Sequence, residues 1–342
     1  VYGADDLVNY LAEAFQVNDS NPVLLDKFLD VAIEFDVEAI SDGSKILICG
    51  ILQHIEQAGV HSGDSACSIP PYNITIETEN KIKNEVIKVI KNMNIIGLVN
   101  VQIAYVNDTV YLLEVNPRAS RTIPFVSKAL GLPLAKIAAR VMAGVSLEEQ
   151  KILNIPELKL FNVKEAVMPF NKFQNVDPIL GPEMRSTGEV MGIGKTFEEA
   201  FQKAEIAAGV TIPDSGSAFI SVRDIDKQFL KEIAEDLTES NFSLVGTKGT
   251  VRVLKELGFQ ARQINKVLEG RPHIIDLMKN SEITLVINTT EGRESIKDSA
   301  SIRRTALEEK ICCTTTIQGA VAICKVIKNQ LDWSVQKLQD IH

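Results

Sequence analysis

The sequence predicts an α/β protein built in two parts, and three patterns support this. Up to about residue 194, strand-like and amphipathic segments both occur, without a regular order. A hairpin signal at Asn107-Asp108 predicts an antiparallel strand pair in this part. From about residue 195, strands and helices alternate through five units in roughly 130 residues, which predicts a small doubly wound parallel sheet. The first strands of this second part are apolar runs, as expected for a sheet covered on both faces.

The composition bounds the class of protein. The 342 residues suffice for two or three domains with complete cores, and 45% hydrophobic with 24% charged residues is typical of soluble globular proteins. A net charge of −9 without a long basic run argues against nucleic acid as the main partner. No apolar run reaches the length of a membrane span, and the acidic residues Asp5 and Asp6 argue against a signal peptide. The five cysteines form no CxxC motif and the four histidines no HExxH motif, so we expect reduced thiols in the cytoplasm and no zinc site.

Apolar periodicity predicts the elements of the first part. Helices are predicted over 4–16, over 77–93, on both sides of Gly131-Leu132-Pro133, and over 146–153. Strands are predicted over 23–30, 32–40, 44–55, 97–106 and 109–115. The prolines of 152–186 predict an irregular segment.

The second part opens with a helix over 196–209, for which Thr196 is the N-cap and Glu199 completes a capping box. The strand–helix units that follow are 217–222 with 227–240, 242–246 with 249–258, 260–266 with 273–280, 282–290 with 299–310, and 311–316 with 319–329. Such a regular alternation favours parallel pairing, because each helix returns the chain to the same edge of the sheet.

The strand over 109–115 leads into VYLLEVNPR, in which Glu114, Asn116 and Arg118 stand at every second position. Alternate residues of a strand point to the same face, and Pro117 stops the ladder. A carboxylate beside an amide oxygen suits a hard cation such as Mg²⁺, and an arginine just beyond suits a phosphate oxygen. The alternative is a strand that ends in a polar turn without a ligand.

Gln102, on the preceding strand, is the candidate third metal ligand. A two-residue loop pairs 106 with 109 and places Gln102 opposite Leu113, on the other face from Glu114. A three-residue loop over 107–109 pairs 106 with 110 and places Gln102 directly opposite Glu114. The metal hypothesis therefore predicts the longer loop or a bulge, and the alternative is that Gln102 is a solvated strand residue.

Three further segments suit a phosphate or a nucleotide. GVHSGDS at 59–65 is rich in glycine and serine, which suits a backbone that closes over a nucleotide, or only a turn. VGTKGT at 245–250 lies between a strand and a helix, so its hydroxyl groups and backbone amides meet at a helix N-terminus, where anions bind. Lys266 and Asn288-Thr289-Thr290 follow neighbouring strands at the sheet edge where open α/β sheets bind ligands. A common Thr-Gly turn is the alternative there.

Longer segments resemble the large subunit of carbamoyl-phosphate synthase. They are HIEQAGVHSGDSACS at 54–68, YLLEVNPRASRTIPFVSKALGLPLAKIAARVMAG at 111–144 and GPEMRSTGEVMGIG at 181–194. The resemblance covers the whole chain but only the C-terminal third of that subunit, and the opening at Val1 is expected of a chain cut from a longer one. It implies the end of the second ATP-grasp module over 1–150, with a mixed or antiparallel sheet and helices. It further implies a connecting segment packed on that module over 151–209 and a doubly wound, methylglyoxal-synthase-like allosteric domain over 210–342.

The resemblance implies a cytoplasmic ligase that makes carbamoyl phosphate from bicarbonate, glutamine-derived ammonia and two ATP, for pyrimidine and arginine biosynthesis. The second module would phosphorylate carbamate with ATP and two Mg²⁺ or Mn²⁺ ions, and K⁺ is a further expected ion. The implied partners are the N-terminal remainder of the large subunit and a glutaminase small subunit, with no nucleic acid and no membrane. We expect this chain to be inactive alone. The alternative is a stand-alone nucleotide-binding regulatory module without catalysis.

Residue roles in the ATP site follow from the same resemblance. Gln102, Glu114 and Asn116 would bind the metal ions, with Glu114 bridging two, and Arg118 would face the transferred phosphoryl group. The residues implied to bind ATP are Lys27, Leu29, Glu34, Gly59, Val60, His61, Ser62, Gln102 and Glu114.

The resemblance also implies two effector sites. A nucleotide, UMP as inhibitor or IMP as activator, would bind to Lys227, Thr247, Thr250, Lys266, Asn288 and Thr290. Ornithine, an activator in some members, would bind between the two parts, at Glu56, Asp64, Glu165 and Thr315. Cys313 stands where responsive members carry a tyrosine, and a thiol is smaller than a phenol and a weak donor, so we expect weak or absent ornithine activation.

Overall fold

The computed structural model describes residues 4–17, 22–25, 29, 32–172, 176–290, 292–329 and 335–341. Its strands are β1 (Ile33–Asp42), β2 (Ile46–His54), β3 (Cys67–Ile69), β4 (Ile96–Val106), β5 (Thr109–Asn116), β6 (Phe161–Val167), β7 (Gly188–Gly194), β8 (Gly216–Ser221), β9 (Phe242–Gly246), β10 (Ala261–Gln263), β11 (Leu285–Asn288) and β12 (Cys312–Thr314). Its α-helices are α1 (Ala4–Val17), α2 (Ile76–Asn92), α3 (Ile123–Leu130), α4 (Leu134–Met142), α5 (Phe197–Ala208), α6 (Leu230–Glu239), α7 (Lys248–Glu256), α8 (Ile274–Lys279), α9 (Arg293–Glu308) and α10 (Ile317–Lys328).

Seven antiparallel strands form the first sheet, in the order β5-β4-β1-β2-β3-β6-β7. Phe35, Val37 and Ala39 alternate along β1 and pack with the apolar side of α2. Farther along β1, Ile40 points to the other face, where it belongs to a core with α3 and α4. The residues that alternate with Phe35 and Val37 along β1 are acidic and point to the second face of the sheet. They form a polar area on that face.

The structure changes three predictions for the first part. Residues 146–153 form turns rather than a helix, and the chain leaves them through Lys151, whose φ is +61°. The segment 152–186 is not irregular throughout, because β6 lies within it. β6 is an inner strand that buries both Val163 and Lys164. The apolar–polar alternation of its first residues stops at Lys164-Glu165, so its sequence lacks the sustained alternation by which half-buried strands are recognised. For the strand predicted over 23–30, the described residues 22–25 and 29 carry no strand, and the others lie outside the described residues.

The second sheet confirms the predicted alternation. Its five strands are all parallel, in the order β10-β9-β8-β11-β12. One face packs on α6 and α10, and the other on α8 and α9. The N-cap prediction for α5 is also confirmed, since the Thr196 side chain accepts a hydrogen bond from the Glu199 amide at 3.2 Å. No helix within the described ranges is long and apolar enough to cross a membrane.

Helix α5 joins the two sheets. It lies on β6 and β7 of the first sheet, and its buried residues share one core with β8, α6 and α10. The approach to β7 is close, because a Cβ atom on Gly192 would lie 2.0 Å from the backbone oxygen of Ala200. A glycine is therefore required at this position, and the contact holds the two parts of the chain together.

Candidate metal and nucleotide sites

A bulge, not a longer loop, brings Gln102 beside Glu114. The loop between β4 and β5 has two residues, Asn107 and Asp108, with φ of +50° and +60°, and Val106 pairs with Thr109. Positive φ at both positions is the geometry of a type I′ turn, which Asn and Asp favour, so the three-residue loop prediction is wrong. The register then shifts between Gln102 and Ile103, and Gln102 pairs with Glu114. The predicted juxtaposition is therefore confirmed through its bulge alternative.

The predicted metal ligands line one cavity of about 460 Å³. The pair of Asn116 and Asn100 follows the pair of Gln102 and Glu114 two positions along the strands, so both pairs point to the same face of the sheet. Glu114 is exposed to solvent. Gln102 donates through Nε2 to the Ser62 hydroxyl at 3.1 Å, which leaves its carbonyl oxygen as a ligand. Carboxylate and amide oxygens are the donors that Mg²⁺ and Mn²⁺ prefer, so the residues present fit such ions.

Arg118 lies at the rim of this cavity. Its guanidinium is exposed and donates to the Asn116 side-chain oxygen at 3.3 Å and to the Ala119 carbonyl at 3.2 Å. The side chain is thus held beside the predicted ligands while most of its donors still face solvent. This position suits an anionic group that enters the cavity from outside.

Sequence reasoning missed two acids at this cavity, Asp36, which lines it, and Glu38, which is buried beside it. Asp36 and Glu38 pair with Gln102 and Asn100 across β1 and β4, and both are buried. The Asn100 amide donates to the Asp36 carboxylate at 3.2 Å and to the Glu38 carboxylate at 2.8 Å. The signal was present in AIEFDVEAI, where Glu34, Asp36 and Glu38 stand two residues apart and so share one face.

Glu38 is the most deeply buried of these acids, at 0% exposure. One of its oxygens accepts hydrogen bonds from Asn100, Ser120 and Thr122, while the other, Oε2, has no partner. Burial raises the pKa of Glu38 to about 7, against the lowering effect of these donors, and the Asp36 charge adds to the rise. The acid can therefore hold a proton close to neutral pH.

The loop 57–65, which we call the nucleotide loop, covers the other side of the cavity. The Gly59 amide donates to Glu34 at 3.1 Å, which joins two of the residues expected to bind ATP. Ser62 contacts Gln102 through its hydroxyl, and its carbonyl accepts from the buried Lys164 ammonium at 3.0 Å. Leu29 packs on the small core of Ala32, Ala58 and Ala104 nearby. Lys27 lies outside the described residues.

Asp36, His54 and Cys67 form a buried cluster under the nucleotide loop, with ligand atoms within 4.8 Å of one another. His54 lies 3.0 Å from Asp36 and 3.5 Å from Glu34. Burial lowers the pKa of His54, but Cys67 and these carboxylates outweigh it and hold the pKa well above its usual value. An imidazolium between two carboxylates already satisfies the charges here, with the Lys164 cation close by, so the cluster needs no metal ion.

A second cavity, of about 1200 Å³, lies at the carboxyl ends of the parallel strands. Of the predicted effector residues, Lys227, Thr247, Thr250 and Lys266 line it. Lys227 Nζ lies 3.5 Å from the position of a Cβ atom on Gly249, in the first turn of α7. The Lys227 cation and a helix N-terminus thus meet in this cavity, with Lys266 in the same lining, which suits a phosphate group.

Two predicted effector residues are not part of this lining. Asn288 is buried behind the cavity wall, where its side chain accepts from Arg303 at 3.3 Å. Thr290 is half-buried and does not border the cavity, whereas its neighbour Thr289 does. Sequence reasoning missed Arg223 and Ser299 in the lining. Ser299 lies on α9, and only the packing of that helix on the sheet shows that it faces the cavity.

The residues expected to bind ornithine are only partly brought together. Burial and then the Glu165 charge raise the pKa of Glu56 to about 8, so these two carboxyl groups lie close to each other. Glu205 of α5, which the sequence did not suggest, is the third acid, and burial and the Glu56 charge raise its pKa to about 8. Asp64 is occupied elsewhere, because both its oxygens accept backbone amides, from Arg185 at 2.8 Å and Ser186 at 2.9 Å.

Thr315 and Cys313 lie at the end of β12 on the side of the second sheet, and both are half-buried. Burial raises the pKa of the Cys313 thiol to about 12, so it stays protonated and can act only as a weak donor. In the described part of the chain, neither side chain forms a hydrogen bond with the three acids.

Family models match both parts of the chain. "Carbamoyl-phosphate synthase L chain, ATP binding domain" matches residues 1–150, and "MGS-like domain" matches residues 230–315. The chain thus carries an ATP-binding domain of the ATP-grasp ligases followed by an MGS-like domain.

Relatives of known name match along the entire chain. Carbamoyl phosphate synthase large chains of Pseudomonas syringae pv. tomato and Pseudomonas aeruginosa are each 54% identical over 342 residues, which is 100% of this chain and 32% of theirs. The chain is homologous to the carbamoyl phosphate synthase large chains, and it spans about a third of the length of the curated relatives it matches. Among solved structures, the biotin carboxylase domain of a thermophilic 2-oxoglutarate carboxylase aligns with a TM-score of 0.46 and 15% identity, over 60% of this chain and 53% of that one.

Proposed function

We propose that this chain is the part of an ATP-dependent ligase that phosphorylates carbamate to carbamoyl phosphate and senses nucleotides. The observation that supports it most is the convergence of Gln102, Glu114 and Asn116 on one sheet face under the nucleotide loop. The complete enzyme would use bicarbonate, glutamine-derived ammonia and two ATP. The chain spans 32% of its relatives' length, so we expect it not to make carbamoyl phosphate alone.

Gln102, Glu114 and Asn116 would hold two Mg²⁺ or Mn²⁺ ions, which supply charge neutralisation for the phosphates of ATP. Phosphoryl transfer requires little covalent chemistry from the protein, so positioning and electrostatics carry most of the catalysis. Arg118, anchored at the rim, would orient the transferred group with its free donors. Glu34 and the nucleotide loop residues Gly59, Val60, His61 and Ser62 would bind the adenine and ribose, together with Leu29 and Lys27.

Three functional segments are part of the proposal. Residues 1–150 would be the end of the second ATP-grasp module, 151–209 a connecting segment, and 210–342 the allosteric domain. The partners would be the N-terminal remainder of the large chain and a glutaminase subunit, with K⁺ as a further ion and the cytoplasm as the compartment. The wide contact of α5 with both sheets supports a connecting role for 151–209.

The second cavity would bind a nucleoside monophosphate, with UMP as inhibitor and IMP as activator. Lys227, Thr247, Thr250 and Lys266 would bind the phosphate, and their convergence in one lining supports this. Asn288 and Thr290 would lie near the base and ribose. Asn288 does not line the cavity, so it would act from behind the cavity wall. Ornithine would bind weakly if at all, at Glu56, Asp64, Glu165 and Thr315.

The alternative function is a nucleotide sensor without catalysis. The size of the second cavity, about 1200 Å³ against about 460 Å³ for the metal cavity, is the observation that favours it. The two functions can be distinguished by removing an oxygen ligand of the first cavity, because only the ligase requires these ligands for its activity.

The deciding experiment is Glu114→Gln in the complete synthase. Removing one carboxylate charge from a two-metal site should abolish carbamoyl phosphate synthesis, and also the reverse formation of ATP from carbamoyl phosphate and ADP, while glutamine hydrolysis persists. Glu148→Gln, the same change on an exposed turn, is the control and should leave all three rates unaltered. Normal synthesis by the Glu114 variant would refute the proposed role of this site.

A further inference from the structure

The nucleotide loop is hydrogen-bonded at each end to a segment outside it. At its start, Gln57 accepts a hydrogen bond from Arg223 at 3.3 Å, and Arg223 lines the second cavity, which we call the effector cavity. At its end, Asp64 accepts the backbone amides of Arg185 and Ser186. The nucleotide loop, which borders the metal cavity, is therefore hydrogen-bonded at both ends to residues outside the loop.

The segment 176–186 carries the second connection. Its Gly181 carbonyl accepts the His61 amide at 2.9 Å, and the Ser186 hydroxyl donates to the Gly63 carbonyl at 3.0 Å. Arg185 folds back to donate to the carbonyl of Asp177 at 3.1 Å. The segment and the nucleotide loop therefore behave as one hydrogen-bonded unit.

Arg303 of α9 fastens this unit to the second part of the chain. Its side chain is fully buried and donates to both oxygens of Asp177, from Nε at 2.7 Å and from Nη2 at 2.5 Å. Further bonds go to the Ile296 carbonyl at 2.8 Å and to Asn288. A bidentate pair of this kind fixes orientation as well as distance, so a displacement of α9 must displace Asp177.

The same helix lines the effector cavity, through Ser295, Asp298, Ser299 and Ile302. Ile302 and Arg303 are adjacent in sequence, so the ligand-facing side of α9 and its ion pair with Asp177 move together. The ion pair lies outside the lining of both cavities, and neither partner has a role in binding or catalysis above.

We propose that the Arg303–Asp177 ion pair transmits the state of the effector cavity to the nucleotide loop, and so sets the affinity of the metal cavity for Mg·ATP. The proposal rests on the proposed function, since it names the route by which a nucleotide in the second cavity would regulate the first. Arg303 and Asp177 are positioning residues in this scheme. A nucleotide that shifts α9 repositions Asp177, then Arg185 and Ser186, and finally Ser62 against Gln102.

The test measures linkage by calorimetry in the complete large chain with its glutaminase subunit. The dissociation constant of Mg·ATP is measured with and without saturating UMP, and that of UMP is measured alone. The variant is Asp177→Asn, and the double variant Asp177→Asn/Arg303→Gln removes both charges, so that no buried cation is left unpaired. Asp236→Asn, which breaks the Lys328 ion pair within the second part, is the matched control.

In the wild type and the Asp236 control, UMP should change the Mg·ATP affinity by a factor within the usual range of about 5 to 150. In both Asp177 variants this factor should fall below about 2, while the dissociation constants of UMP alone and of Mg·ATP alone stay within about twofold of the wild type. Asp177→Glu, which restores the carboxylate, should recover most of the linkage.

Unchanged linkage in the variants would overturn the route and leave the proposed function standing. An enzyme that binds both nucleotides but makes no carbamoyl phosphate would overturn the proposed function, while the calorimetric linkage would still decide the route. A wild type in which UMP binds without altering Mg·ATP affinity would overturn the route and the regulatory role together.

Discussion

Replacing Glu38 by glutamine should make the stability of this protein less dependent on pH. Glu38 is fully buried beside the candidate metal cavity, and burial raises its pKa from 4.5 to about 7. The oxygen that accepts from Asn100, Ser120 and Thr122 has a counterpart in glutamine. The other oxygen has no partner, so an amide nitrogen there loses no bond. Glutamine is therefore a close mimic of the protonated acid.

The magnitude follows from the change in pKa. Below pH 4.5 the acid is protonated in the folded and the unfolded chain, and it does not affect the balance between them. As the pH rises from 4.5 toward 7, the unfolded chain releases the proton and the folded chain retains it, so stability falls. At about 1.4 kcal/mol per pH unit, the full loss above pH 7 is about 3 kcal/mol. The variant does not suffer this loss.

The assay is urea unfolding, followed by circular dichroism, of the wild type and Glu38→Gln at pH 5 and pH 8. The variant should be more stable by about 1 kcal/mol at pH 5 and by about 3 kcal/mol at pH 8. Glu148→Gln provides the exposed control and should show no such pH dependence. A stability difference between wild type and Glu38→Gln that is the same at both pH values would refute the reasoning.

Three further predictions concern effector binding and the join between the two parts. Thr250→Ala should weaken UMP binding by about 1–2 kcal/mol in calorimetry, the value of one hydrogen bond to a charged group, and Thr250→Ser should retain it; equal affinities would remove Thr250 from the site. Gly192→Ala should lower the free energy of unfolding by about 3 kcal/mol, because its Cβ would lie 2.0 Å from the Ala200 oxygen. Gly188→Ala on the same strand meets nothing within 4 Å and should cost little, so similar losses in both variants would contradict the packing argument. Ornithine at millimolar concentration should shift the velocity-versus-ATP curve of the full enzyme little, and strong activation would show that Cys313 does not discriminate.

Local patterns were sufficient for most elements of this protein. Helical spacing and the Thr196 N-cap predicted α5, and regular alternation predicted the parallel pairing of the second sheet, because these signals depend on neighbouring residues alone. β6 was missed for the opposite reason. An inner strand is buried on both faces by distant parts of the chain, so Val163 and Lys164 are buried alike, and the adjacent Lys164 and Glu165 interrupt the apolar–polar alternation of the sequence.

In the candidate site, the residue types could be identified from the sequence, whereas their proximity depends on how the strands pair. EVNPR supplied Glu114 and Asn116 as oxygen donors from spacing alone. The bulge that places Gln102 opposite Glu114 reconciles the register set by the type I′ turn with the pairing of the rest of the sheet. No local signal in the sequence predicts this bulge. The Arg303–Asp177 pair is 126 residues apart in the chain, and its partners could be identified only after α9 had packed against the first part. Sequence thus fixes which chemical groups are available, but contacts between distant residues come from burial, which is a property of the assembled fold.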